Sequence, residues 1–303
     1  MRKHVLLGSF LLVISFLKSY SQDIEPRRWT PTPLGTHVIG LGYVYQSGDI
    51  LFDPALQAED VKLDMHAFAA VYVQPLKLGN KLGRLDVTLP YVTARWNGLL
   101  SGVPTEKKRY GIADPRLRFS VNLIGPNAMN AQDMMVYYKD NPKYTMLGVS
   151  LAVTFPLGIY DENKLLNIGQ NRFVFRPQIG MVHNWGLWSF EFSSSIFIFT
   201  NNNQFFNNQT KEQKPVFAAQ SHLIKRFSNR MWASVSLSYG LGGESVVEGN
   251  ELGDQHGDLL YSASFGTQLS KTQGIKLVYM RWETLRNVGS KTNSVGLSWT
   301  KLF

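Results

Sequence analysis

The sequence predicts an all-β fold: a transmembrane, antiparallel, up-and-down β-barrel of about twelve strands with a short periplasmic helix. Three observations predict it. Beyond the first 21 residues, no apolar run reaches the length of a membrane-spanning helix. Aliphatic and aromatic residues instead alternate with small or polar ones in segments recurring about every twenty residues. The chain closes on a strand that puts Val295, Leu297, Trp299 and Phe303 on one face. A bilayer accepts only helices or closed barrels, because unpaired backbone groups are too costly in hydrocarbon.

Residues 1–21 read as a signal peptide. Arg2, Lys3 and His4 open it, Val5 to Leu17 form its apolar stretch, and Ser19 and Ser21 supply the small residues for cleavage before Gln22. That stretch, at roughly 13 residues, is short for a span of about 20. Residues 22–34, with Pro26, Pro31 and Pro33, form a periplasmic N-terminal segment able to enter a barrel as a plug, and residues 35–303 are the barrel itself.

The strands follow in order. Ile39, Leu41, Tyr43 and Tyr45 mark the first; Leu63, Met65, Ala67, Ala69, Val71 and Val73 the second, interleaved with Asp64, His66 and Phe68. Leu85, Val87, Leu89 and Tyr91 mark the third. The fourth sets Leu117, Phe119, Val121 and Leu123 against Arg116, Arg118, Ser120 and Asn122, one face for lipid and one for water. Four more run through Val149, Phe175, Phe192 and Ile224, and the last four through Val235, Phe265, Leu277 and Leu297. An even count brings both ends to the periplasm.

Connections after odd-numbered strands are long (46–61, 97–113, 158–171, 201–215, 242–257) and most of those after even-numbered strands are short, the asymmetry expected of outside loops and periplasmic turns. Residues 125–142 depart from that rule. Met134, Met135, Tyr137 and Tyr138 cluster there at helical spacing, which predicts the periplasmic helix. A soluble β-sandwich would share the alternation but would show polar outer faces. Here the apolar face is aromatic and the opposite face is rich in Ser, Gly, Gln, Arg and Asn, a poor packed core.

Composition narrows the function classes. Three of the 31 basic residues and none of the 22 acidic ones lie in 1–21, so the charge of +9 falls to +6 after cleavage, scattered rather than in blocks. Nucleic acid is not an expected partner. The absence of cysteine excludes a thiolate metal site and a thiol nucleophile. The six histidines show no metal-binding spacing, so no metal and no cofactor is expected.

Candidate lumen-lining residues are Asp64, His66, Asp114, Arg116, Arg118, Arg176, Glu191 and Lys276. Arg116 and Arg118, two positions apart on one wall, would favour anionic or polar solutes by their field. They equally suit an ion-paired network with Asp64, Asp86 or Glu191, since a narrow interior must satisfy its charges. His66 and His222 among many serines raise a barrel lipase, yet no Gly-x-Ser-x-Gly elbow occurs, and such an enzyme needs a Ser–His pair at the rim. No enzymatic activity is expected. Acidic loop residues such as Asp49, Glu59, Asp161 and Glu248 suit either a solvated rim or ions bridging lipopolysaccharide.

Three stretches carry a resemblance. They are Leu34-Gly35-Thr36 with Gly42-Tyr43 and Ser47-Gly48-Asp49-Ile50-Leu51-Phe52-Asp53-Pro54; Leu89-Pro90-Tyr91; and Gly111-Ile112-Ala113-Asp114-Pro115-Arg116-Leu117-Arg118 running to Gly125. With Phe155-Pro156-Leu157-Gly158, the chain resembles the transporter family named after the MetA pathway of phenol degradation. That resemblance implies an outer-membrane barrel passing small, often aromatic or apolar, molecules; it brings no site residues. Terminal Phe303 on an alternating strand resembles the signal read by the barrel-assembly machinery. Expected partners are therefore outer-membrane lipid and lipopolysaccharide, that machinery, and a small-molecule solute. The rival expectation is a structural or surface-interaction barrel with a closed lumen.

Overall fold

The computed structural model describes residues 24–52, 58–228 and 230–303; the expected signal peptide lies outside them. In chain order the elements are β1 (Val38–Leu51), β2 (Ala58–Leu78), β3 (Lys81–Leu100), β4 (Val103–Ile112), β5 (Arg116–Ile124), α1 (Ala131–Asp140), β6 (Lys143–Thr154), β7 (Val174–Trp185) and β8 (Trp188–Phe199). They continue with β9 (Asn202–Phe205), β10 (Gln209–Gln213), β11 (Val216–Arg226), β12 (Met231–Gly242), β13 (Ser245–Val247), β14 (Asn250–Glu251), β15 (His256–Gln268), β16 (Gln273–Thr284) and β17 (Gly289–Leu302).

Thirteen strands form one sheet, in the order β2-β1-β17-β16-β15-β12-β11-β8-β7-β6-β5-β3-β4, and β2 also pairs with β3 to close it. The ends meet where β1 lies antiparallel to β17, from Val38 opposite Leu302 to Leu51 opposite Gly289. Twelve positions around the barrel result, because β4 and β5 share one. β4 pairs with the upper part of β3 (Tyr91 opposite Ile112) and β5 with its lower part (Thr88 opposite Arg116). The step between the registers inserts one extra residue around Ala113–Pro115 opposite Pro90, whose ring nitrogen has no proton for the ladder. Among the described residues every pairing between the barrel strands is antiparallel and the sheet closes on itself, as hydrocarbon demands.

Two sets of expected loops are largely strand. Residues 46–51, 58–61 and 97–112 extend the β1–β2 and β3–β4 hairpins beyond the aromatic belt. There the strands carry Asp49, Glu59, Lys107 and Lys108, whose charge ended the apolar alternation but not the hydrogen bonding. Residues 201–215 and 242–257 are not open loops either. They include β9, β10, β13 and β14, a four-stranded sheet over one side of the extracellular mouth with Phe205, Val247 and Leu252 packed beneath it.

The helix α1 stands where the 125–142 pattern predicts it. Asn130 caps it, its side-chain oxygen accepting from the backbone N–H groups of Gln132 and Asp133 at 2.9 and 3.0 Å. Met134 is buried, while Tyr138 stacks on Tyr144 of β6, with ring centroids 5.0 Å apart. The helix and the short turn at Gly186 lie at the end of the barrel with the short connections, the end expected to face the periplasm.

Candidate functional site

The lumen is built from the inward face of each strand. On β5 that face holds Arg116, Arg118, Ser120 and Asn122; on β8 it holds Ser189, Glu191, Ser193 and Ser195. On β2 the faces are the reverse of the sequence expectation. Val61, Leu63 and Met65 are buried inward, while Asp64 and His66 point outward. The register fixes this: His66 lies opposite outward Tyr45, and Met65 opposite inward Gln46. Asp64 accepts from Tyr45 Oη at 3.0 Å and pairs with Arg95 Nη2 at 3.2 Å, and His66 Nδ1 lies 2.8 Å from Tyr43 Oη. Both therefore leave the candidate lumen set. Both side chains face outward, and an apolar wall takes the inside.

Arg116, Arg118, Arg176, Glu191 and Lys276 lie on inward strand faces. Arg176, 4% exposed, donates to Ser195 Oγ at 3.2 Å and lies over the Phe197 ring. Lys276 sits on the inward face of β16. Asp114 is at the extracellular rim, where its carboxylate accepts the backbone N–H of Gly158 and of Gln170, each at 2.8 Å, and so ties down the 155–173 segment. Burial pushes its carboxyl up from the ordinary range despite those two bonds. Arg172 in the same segment is lowered by burial to about 10.

Arg116 and Arg118 meet a partner the sequence did not single out. Glu25, from the segment before β1, accepts from Arg118 Nη1 at 2.5 Å and from Arg116 Nη2 at 3.4 Å. Burial alone would raise its carboxyl, but Arg118, Arg116 and Arg28 hold it well below the usual carboxylate range. Arg28 reaches Asp86 Oδ2 at 3.0 Å and donates to Ser120 Oγ at 2.6 Å, and Arg84 joins Asp86 at 2.6 Å. Arg27 lies over the Trp232 ring, 5.2 Å from its centroid. The Glu191 carboxylate, 1% exposed, takes the backbone N–H groups of Arg27 and Arg28.

Trp29 anchors this segment. It is 3% exposed, and Nε1 donates to Ser193 Oγ at 2.8 Å. Its ring fills a slot left by Gly148 of β6 and Gly180 of β7, where a Cβ would stand 2.5 and 2.0 Å from ring atoms. Only glycine leaves room for it there. Residues 25–29 thus cross the lumen, and a cavity lies on each side of them.

The extracellular-side cavity has a volume of about 450 Å³. One wall is apolar, with Leu63 and Met65 from β2 and Val92, Ala94 and Trp96 from β3. Trp282 of β16, His256 and Asp258 of β15, and Asp114, Arg116 and Gln170 complete it. The periplasmic-side cavity, about 420 Å³, is bounded by Arg27, Glu191, Tyr138, Tyr144, Asn184 and Arg226. A Ser–His pair does occur: His222 Nδ1 lies 2.8 Å from Ser236 Oγ, but both are buried mid-strand and neither lines either cavity. Among the described residues no cluster of three metal-ligating side chains is present.

Sequence patterning could not reveal the crossing segment, because residues 24–34 have no period. Its prolines at 26, 31 and 33 marked residues 22–34 as a segment able to enter the barrel, but nothing in them singles out Glu25, Arg28 or Trp29 as the residues that hold it.

A model of the family described as "Putative MetA-pathway of phenol degradation" matches residues 43–299. The fold is similar to that of an outer membrane channel from Pseudomonas putida F1, with a TM-score of 0.78 and 17% identity over 93% of this chain and 100% of that one. It is also similar to the transport unit of an autotransporter from Escherichia coli, with a TM-score of 0.50 and 8% identity over 97% and 96% of the two chains. At those identities the likeness is one of fold. No curated protein matches the sequence. The closed twelve-strand barrel, with these neighbours, places the chain in the outer membrane.

Proposed function

We propose that this chain, which belongs to the family described as "Putative MetA-pathway of phenol degradation", is a passive outer-membrane channel for small apolar or aromatic molecules, without a chemical step of its own. The observation that carries this reading is the 450 Å³ cavity, whose β2–β3 wall of Leu63, Met65, Val92, Ala94 and Trp96 offers an apolar surface inside a barrel. Ligand sites of a few hundred cubic ångströms with mostly apolar walls bury most of a small molecule. The channel from Pseudomonas putida F1 supports the reading by fold, and the family description names phenol degradation.

In this proposal residues 25–29 act as a plug. The salt bridges of Glu25 and Arg28 and the seat of Trp29 hold it between the two cavities, so the resting barrel passes ions poorly. The outward Arg95 and Lys108, side by side on β3 and β4, would meet lipopolysaccharide phosphates, and the β17 end at Phe303 would be the handle of the barrel-assembly machinery.

Uptake of an apolar fluorescent dye by liposomes holding the purified chain tests the proposal. Faster equilibration than in empty liposomes, with low ion conductance, is the expected result. A barrel that speeds neither dye nor ions would leave the rival reading, a structural barrel with a closed lumen.

A further inference from the structure

Asp258 and Trp282 face the same cavity from neighbouring strands. The register sets Asp258 opposite Thr284 and Leu260 opposite Trp282, so the two side chains are diagonal neighbours on the inner face of β15 and β16. Diagonal positions lie about 7–8 Å apart, within reach of long and aromatic side chains. Asp258 is 2% exposed and Trp282 8%. His256 Nδ1, 2.8 Å from Asp258 Oδ2, fixes the carboxylate. Its second oxygen, Oδ1, has no hydrogen-bond partner among the described residues, and neither has Trp282 Nε1. One buried acceptor and one buried donor thus stand on the wall of a cavity whose other side is hydrocarbon.

We infer that this cavity recognises a small apolar molecule carrying one hydroxyl group, the O–H donating to Asp258 Oδ1 while its oxygen accepts from the Trp282 Nε1–H. The ring or chain then lies on Leu63, Met65, Val92 and Trp96. A hydroxyl is the smallest group that donates and accepts at one atom, and it bridges a donor and an acceptor up to about 5–6 Å apart. A carboxylate would be repelled by Asp258. An ammonium has no lone pair for the indole, a ketone or ether has no proton for the carboxylate, and a methyl group or halide serves neither. The inference rests on the channel reading above and adds the group that the site selects.

The test uses the full-length mature chain in lipid nanodiscs, titrated by fluorine NMR with 4-fluorophenol and with its non-hydroxylated counterpart 4-fluorotoluene, empty nanodiscs being subtracted. The wild type is expected to bind 4-fluorophenol at least tenfold more tightly. Asp258→Ala and Trp282→Phe are each expected to weaken that binding about tenfold and to leave 4-fluorotoluene within twofold. Trp282→Phe keeps the packing, so it decides the matter if Asp258→Ala fails to form a heat-stable barrel. Equal binding of the two probes by the wild type, no binding of either, or an equal loss of both in Trp282→Phe would overturn the inference. Dye uptake is scored separately: if it persists while the probes are not discriminated, the hydroxyl site falls and the channel stands.

Discussion

Two walls of one lumen differ sharply. On β2 and β3 the inward residues at the cavity are Leu63, Met65, Val92, Ala94 and Trp96; at mid-height on β8, β12 and β15 they are Ser193, Ser195, Ser234, Ser236, Ser238, Ser262 and Ser264, while Ser189 and Glu191 of β8 and His256 and Asp258 of β15, nearer the strand ends, line the cavities. The apolar wall borders open space, whereas none of those seven serines lines either cavity. Serine is small, so the serine wall packs closely against neighbouring strands and the crossing segment, and some of its hydroxyls are paired, among them Ser193 with Trp29 and Ser236 with His222. The apolar wall has nothing to pair and leaves room for a solute. The lumen is therefore divided by chemistry as well as by the crossing segment: one side holds the protein's own chain, the other is available to something else.

The largest expected effect comes from moving the segment off its seat. Gly180→Leu would put side-chain atoms where the Trp29 ring lies, and Trp29→Ala would empty the slot. Both should raise single-channel conductance at least tenfold, while a Trp29→Phe variant, which still fills most of the slot, stays near the wild type. Next in size is the apolar wall. Trp96→Asp places an unpaired charge on the cavity surface and should lower dye uptake roughly tenfold, with the barrel still folded by heat-modifiable migration on gels.

A third test is acidification. Glu25 is held below its ordinary value of 4.5, so its ion pairs contribute fully above that pH and are lost as pH falls through the lowered value. Conductance should therefore rise only below pH 4.5, and Glu25→Gln should conduct at neutral pH and lose most of that pH dependence. On the serine wall, Ser236→Ala removes one hydrogen bond, of about 1 kcal/mol, and should leave uptake within twofold, which also separates a structural His222 from a catalytic one. The smallest effect belongs to the outer face. Asp64→Asn breaks an exposed pair with Arg95, and neither conductance nor uptake should change measurably.

The barrel was legible because its evidence is periodic. On β5, arginine and serine alternate with leucine, phenylalanine and valine, and only one assignment of faces is tolerable in lipid. On β2 both faces carry apolar and aromatic residues, so the rule that polar means inward picks the wrong side. Asp64 and His66 face outward among Tyr43, Tyr45 and Arg95, and Leu63 and Met65 line a cavity. The strand register decided the matter, and alternation does not encode it. The partner of Arg116 and Arg118 was hidden for a different reason: Glu25 is remote in sequence and lies in a stretch without period. The orphaned polar atoms of Asp258 and Trp282 become visible only when the register brings their strands together.

Photolabelling of the purified barrel with a small apolar diazirine, read out by mass spectrometry, tests the division of the lumen most directly. Inward-facing adducts should fall on Leu63, Met65, Val92 and Trp96 and be competed by excess 4-fluorophenol. Adducts on Ser236, Ser262 and Ser264, or labelling confined to the lipid-facing surface, would contradict it.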